Sequence, residues 1–296
     1  MMGIRHTRTL LTATLLLLFL HAASGRCAPV GNIGDPALWN DRLFKTPGSR
    51  TLFISAEYDS QDNSLDDQQR RVRWDDPRSS TEEVRHYEQV RASESTFTCM
   101  GTRIGAVLTD AWTLYALTGV CDTELTFIHT DTTVNFGFET SSDFESDSDL
   151  YYGIGTTVLL HKGTFRGTVP LTLGMDITYR RFDFEDDSLS ENGTFYSATL
   201  DEIQLAIVLA ADFGRVHPYA GARISSITGN EHYINKTIQS YWYPQGYIDY
   251  EDDITWTKNV GFVVGASVQL PGAISLTVES RLGDEEALGV SATVAF

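Results

Sequence analysis

Strict alternation of apolar with small or polar residues, sustained over long runs, is the feature that most restricts how this chain folds. Ala287–Phe296 sets Leu288, Val290, Ala292, Val294 and Phe296 against Gly289, Ser291, Thr293 and Ala295. Leu150–Leu160, Gly167–Tyr179 and Ile254–Leu270 repeat the pattern. A period of two puts one residue set on each face of a strand. Several runs are much longer than the ~5–6 residues usual for strands of soluble domains. Their polar faces carry Gly, Ser, Thr and isolated charges, unlike the Lys/Glu mixture of a sheet that faces water.

The connections alternate in length. Short turns are expected at Thr109–Ala111, His161–Thr164, Asp212–Arg215 and Pro271–Gly272. Long polar loops are expected over about Ser60–Arg91, His129–Asp149, Glu185–Ala198 and Gly229–Asp252. Short turns at one rim and long loops at the other describe an all-β, transmembrane antiparallel up-and-down β-barrel. Ten strands are expected, with eight or twelve as the neighbouring counts: Thr51–Asp59, Ser93–Leu108, Trp112–Ile128, Leu150–Leu160, Phe165–Phe184, Thr199–Ala211, Val216–Thr228, Ile254–Leu270, Ala273–Leu282 and Ala287–Phe296. On the fifth of these, Phe165 and Tyr179 share a face, roughly 35 Å apart along the membrane normal for a tilted strand. They suit two aromatic girdles, which Trp112 and Phe296 join below and Tyr58, Tyr152 and Trp256 above.

The first 25 residues have a different character. Arg5 and Arg8 precede the apolar run Thr9–Ala23, and small residues follow at Ser24 and Gly25. That layout predicts a signal peptide over 1–25. An irregular periplasmic or lumenal segment is expected over 26–50 and the barrel over 51–296. The formal charge of −18 excludes nucleic acid as a partner, since phosphates require a basic face. No Ser-His-Asp, zinc or nucleotide motif is present, so no cofactor or metal site is expected.

With the apolar faces towards lipid, the lumen receives Glu57, Arg103, Asp176, Arg180, Glu202, Arg223, Glu279 and Arg281, four acids and four arginines. Glu57 and Arg103 fall at similar height on neighbouring strands, and Glu279 and Arg281 on one strand. Such pairs bridge much of a narrow interior. Gly101, Gly105, Gly153, Gly155, Gly221, Gly261, Gly265 and Gly289 face the same way. They either leave a thin pore or make room for Tyr115, Tyr151 and Tyr219 to pack inward; a mostly filled lumen is the favoured alternative, and a small-solute diffusion porin the other. Residues equidistant from the Thr109–Ala111 turn oppose one another, which sets Cys99 across from Cys121. Directly opposed positions lie ~4.5–5.5 Å apart, within disulfide range. Cys27 is then left unpaired.

The predicted loops are of two kinds. His129–Asp149 carries Asp131, Glu139, Asp143, Glu145, Asp147 and Asp149 with no Lys or Arg. It reads as a solvated surface or as a place where divalent cations bridge to lipopolysaccharide phosphates. Gly229–Asp252 carries Tyr233, Tyr241, Trp242, Tyr243, Tyr247 and Tyr250, which either stiffen the loop or bind an extracellular sugar or protein. His129 and His232 lie near the same rim beside acids, the arrangement of an omptin-like surface protease, although no omptin motif accompanies them. The favoured function is a non-enzymatic structural or surface-binding barrel.

Two resemblances add to this. The closing alternation ending in Phe296, with Val294, Ala292 and Val290, resembles the assembly signal of bacterial outer-membrane proteins, which implies the barrel-assembly machinery as a partner during biogenesis. It implies outer-membrane lipid and lipopolysaccharide as surroundings. The stretch "APVGNIGDPALW", Ala28–Trp39, resembles the mature start of the chlamydial major outer-membrane porin family. This chain is shorter and lacks that family's many cysteines, so the resemblance implies a related barrel more than porin activity.

Overall fold

A computed structural model describes residues 51–63, 67–74, 83–131, 138–186, 194–235, 248–255, 260–271, 273–283 and 286–296. The strands are β1 (Thr51–Asn63), β2 (Asp67–Trp74), β3 (Glu83–Thr109), β4 (Trp112–Asp131), β5 (Phe138–Phe165), β6 (Val169–Asp186), β7 (Thr194–Ala211), β8 (Val216–Asn235), β9 (Ile248–Thr255), β10 (Val260–Leu270), β11 (Ile274–Leu282) and β12 (Glu286–Ala295). They form a closed antiparallel barrel of ten staves. β1 closes the ring by pairing β12 on one side and β3 on the other. The twelve segments reduce to ten staves because β1 and β2 follow one another along β3, and β9 and β10 along β8.

Each stave turns an apolar face outward over the same height. Trp112, Leu114 and Val120 on β4, Ile203, Ile207 and Leu209 on β7, and Val260, Phe262 and Val264 on β10 are all exposed. The eight-residue rise from Trp112 to Val120 spans roughly 20 Å at barrel tilt, matching the apolar band of an outer-membrane barrel. Above it the outward residues become polar: Asp122 and Glu124 on β4, Asp183 and Glu185 on β6. Tyr179 donates to Asp201 from the neighbouring stave at 2.5 Å, and Arg181 lies 3.3 Å from Asp183.

The short turns gather at one end, tied by backbone hydrogen bonds from Leu159 to Ala111, Asp212 to Pro170 and Gln269 to Arg215. Leu52 and Phe296 exchange both backbone bonds there, at 3.0 and 2.9 Å. Thus Phe296 is held in the closing seam and its ring is exposed.

At the other end the long staves continue as paired strand where the sequence suggested loops. β4 and β5 pair up to Asp131↔Phe138, and β7 and β8 up to Thr194↔Asn235. The acidic run over 138–149 is therefore strand. β11 and β12 are short and stop at Leu282 and Glu286. Over them, β2 and β9 meet directly at Arg73↔Asp249 and Trp74↔Ile248. A collar of eight strands thereby stands on a ring of ten. β5 and β6 pair up to Tyr151↔Phe182, and residues 147–150 have no backbone partner among residues 183–186, so the seam is parted at that height.

Two expectations about boundaries require correction. β5 does not turn at His161–Thr164 but runs on to Phe165; the turn is Arg166–Thr168, with Arg166 and Gly167 both at positive φ. Phe165 therefore belongs to β5 and pairs with Val169 of β6. A register shift between Leu159 and His161 hid this, because a bulge reverses which residues face outward. The run Ile254–Leu270 carries a one-residue register shift: β9 and β10 differ by one along β8, and residues 256–259, with the girdle candidate Trp256, lie outside the described residues.

Candidate functional site in the barrel interior

Inward positions form three storeys. Nearest the turns lie small hydroxyls and one ring: Ser55 bonds Thr293 and Ser267 bonds Thr277, both at 2.7 Å, beside fully buried Phe53. The middle storey holds the charges. The storey beyond is aromatic, with Phe182 stacked on Tyr151 and Phe184 and with Phe97 tilted against both phenylalanines.

The arginines of the middle storey, Arg103, Arg180, Arg223 and Arg281, are no more than 2% exposed. Arg103 holds Glu57 through Nε at 2.8 Å and stacks 4.4 Å over the Tyr115 ring. Arg180 on β6 grips Glu202 on β7 through Nε at 2.8 Å and through a terminal nitrogen at 2.6 Å. Arg281 on β11 reaches over β12 to Asp59 on β1 at 2.7 Å. The other oxygen of Asp59 lies 3.5 Å from Arg180, which stands almost diametrically opposite β1 in the ring. Asp59 thus ties the two sides of the barrel together across the lumen. A buried ion needs this kind of multiple pairing to offset its desolvation.

Tyrosines extend the network by crossing a stave. Tyr115 on β4 passes over Gly155 on β5 to donate to Asp176 on β6 at 3.0 Å, and its oxygen lies 2.6 Å from Thr178. Asp176 also accepts from Thr157 at 2.6 Å and Thr178 at 2.9 Å. Tyr219 on β8 passes over Gly265 on β10 to donate to Glu279 on β11 at 2.7 Å. Tyr151 covers Gly119 and Gly101 in the same manner. A Cβ at Gly155 or Gly265 would overlap the phenol ring, so at these positions glycine is required by the crossing itself. Of the two readings of the lumen glycines, these serve to admit the tyrosines.

All eight sequence-derived charges, Glu57, Arg103, Asp176, Arg180, Glu202, Arg223, Glu279 and Arg281, lie buried in the interior. Beyond the pairs read from the sequence, Arg281 bonds Asp59 and Glu279 accepts from Tyr219. Asp59, at the expected end of the first strand, shares a face with Glu57 and so joins the same inward set. Glu231, fully buried and accepting from Tyr196 at 2.9 Å, falls within the expected loop Gly229–Asp252 but continues the inward parity of Arg223. Cys99 and Cys121 are backbone partners joined by a disulfide, at the junction of ring and collar.

The outer-rim candidates fare differently. Tyr233 and Tyr250 are backbone partners in the collar, with side chains outside the described set; Tyr241, Trp242, Tyr243 and Tyr247 lie outside the described residues. His232 packs edge-on against Phe195 on β7. His129 is on β4, four staves from β8. Among the described residues no group of three or more His, Cys, Asp or Glu is placed to hold a metal ion.

No protein-family model matches the chain, and no curated protein matches it. The Ala28–Trp39 resemblance falls on residues outside the described set. Among solved structures, the chain is similar to the outer membrane protein OprG from Pseudomonas aeruginosa, at 8% identity and TM-score 0.42 over 84% of this chain and 96% of that one. It is also similar to the β domain of the Bordetella autotransporter BrkA, at 9% identity and TM-score 0.37 over 84% of this chain and 100% of that one. The transport unit of the autotransporter AIDA-I from Escherichia coli follows at 9% identity and TM-score 0.30, over 90% and 97%. Such scores bear no weight on function. What the chain's own geometry establishes is a ten-stave, up-and-down antiparallel barrel with an apolar exterior and a charged interior.

Proposed function

We propose that this chain is an integral β-barrel of a bacterial outer membrane, exported by its first 25 residues, with an interior closed to ions by its own side chains. Its role is then structural or surface-binding, neither enzymatic nor that of a diffusion porin. The uniform outward apolar face supports the membrane setting, because closed barrels and helices alone satisfy their backbone within lipid. One observation carries the closed lumen: the Asp59 carboxylate meets Arg281 on its own side and Arg180 across the interior. Ion pairs at low local dielectric hold firmly, and side chains that meet across the interior narrow any water path along it. The acidic, tyrosine-bearing collar is the part available to an extracellular sugar or protein, and its acids to cation-bridged lipopolysaccharide. Assembly passes through the barrel-assembly machinery, with Phe296 in the recognised closing strand.

Planar-bilayer recording of the refolded protein tests this reading. The expected result is little conductance from the native barrel. Large, stable unitary steps in the native protein would instead establish a porin, with lumen charges tuning selectivity.

A further inference from the structure

The turn end presents the same combination twice. Phe165-Arg166-Gly167 closes the β5–β6 hairpin and Phe213-Gly214-Arg215 closes β7–β8. Phe165 and Phe213 are 53% and 63% exposed, and both arginines are exposed beside them. The Arg166 guanidinium lies 5.2 Å over the Phe165 ring. Trp112 is exposed at this end, with its indole nitrogen donating to Thr156 at 2.7 Å. At the opposite edge of the apolar band the outward residues include Asp122, Glu124, Asp183 and Glu185. Among the described residues the turn end also carries exposed Lys162, with Asp110 and Asp212 as exposed acids, so three cations meet two acids at this boundary while the other is predominantly acidic.

An aromatic ring at a membrane boundary rests in the upper acyl region and carries its neighbour at headgroup depth. A guanidinium held there meets phosphate oxygens in fork geometry. Lipids with a net negative headgroup add a surface field that draws cations to the boundary. Bulk charge predicts the opposite, since a chain of formal charge −18 is repelled from an anionic surface. The acids of the opposite boundary stand roughly 20–25 Å away, beyond the ~8–10 Å screening length of physiological salt, so the turn-end groups, Lys162, Arg166 and Arg215 against Asp110 and Asp212, decide the sign. We infer that the turn end of the barrel binds anionic phospholipid headgroups through Arg166 and Arg215, with Phe165 and Phe213 setting the depth of each guanidinium. This rests on the membrane setting proposed above.

The test uses the full chain with Trp112 as its sole tryptophan (Trp39, Trp74, Trp242 and Trp256 changed to Phe), refolded into vesicles of phosphatidylcholine and phosphatidylglycerol. One lipid at a time is brominated, so that quenching of Trp112 reports its neighbours. The expected result is roughly twofold or greater enrichment of phosphatidylglycerol over its bulk fraction, lost at high salt. Arg166→Gln with Arg215→Gln should return quenching to the bulk ratio, while the corresponding Lys pair should keep most of the preference. Bulk-ratio quenching in the native background, or enrichment that survives the double Gln change, would overturn the inference. Should the Gln variant fail to fold, salt dependence in the native background still decides. Quenching by neither brominated lipid would remove the membrane setting itself, a failure distinct from equal quenching by both.

Discussion

At the residue scale, Asp59 is the most consequential side chain of the interior. Its two oxygens meet arginines from opposite sides of the ring, so removing them takes a carboxylate partner from each of two buried guanidinium groups. Asp59→Ala should lower stability by ~3–5 kcal/mol, the usual cost of breaking a buried pair from one side. The denaturant midpoint of the refolded barrel, followed by tryptophan fluorescence, measures this; a midpoint equal to that of the native protein would contradict the bridging role. Arg103→Ala, by isolating Glu57, should either destabilise the barrel or admit a cation-favouring leak in bilayers. The inward placement of these charges was legible in the sequence, because alternation assigns a face to each. The partnership of Glu57 with Arg103 was legible too, because they fall on adjacent staves. Asp59 with Arg180 depends on the diameter of the closed ring, and Tyr115 with Asp176 depends on a glycine in a third strand. Neither distance exists until the sheet closes.

At the element scale, the crossing tyrosines couple stave to stave over more than one hydrogen-bonded ladder. Gly265→Val should displace Tyr219 and cost Glu279 its donor, lowering the denaturant midpoint. Adding Tyr219→Leu to that background should recover part of the loss, because the clash is then relieved. A Gly265→Val barrel as stable as the native one would exclude the crossing. The β3–β4 hairpin is fixed by Cys99–Cys121, and mass spectrometry of the unreduced protein should find those two cysteines bonded. In the closing pair, Phe296→Asp places a charge on the lipid side of β12 beside Leu52. It should leave the protein periplasmic and protease-sensitive, with loss of the heat-modifiable form on gels. Strand identity was readable here from alternation alone, as in Ala287–Phe296. Strand ends were not: the bulge at Leu159–His161 inverts the face assignment, and the collar strands carry polar residues on both sides, which a pattern search takes for loop.

For the whole molecule, the count of ten staves follows from short turns at one end and from alternation in the membrane-height segments. The collar could not be anticipated in that way, since its pairing is decided by which neighbours are long. Short β11 and β12 bring β2 and β9 together above them. The step from ten strands to eight narrows a barrel by about a fifth, since diameter follows strand number. The parting of β5 from β6 above Tyr151 and Phe182 gives that collar the mechanics of a split hoop. The ring beneath is a continuous band in which every strand is braced from both sides, so one stave cannot yield without its neighbours. A hoop with a cut concentrates its compliance at the cut. Backbone amides on the β6-facing edge of residues 147–150 should therefore exchange with deuterium faster than those of Tyr151–Val158, where the same strand is braced twice. Equal protection along the whole of β5 would mean that the cut is bridged in solution and that the collar behaves as one rigid band with the ring.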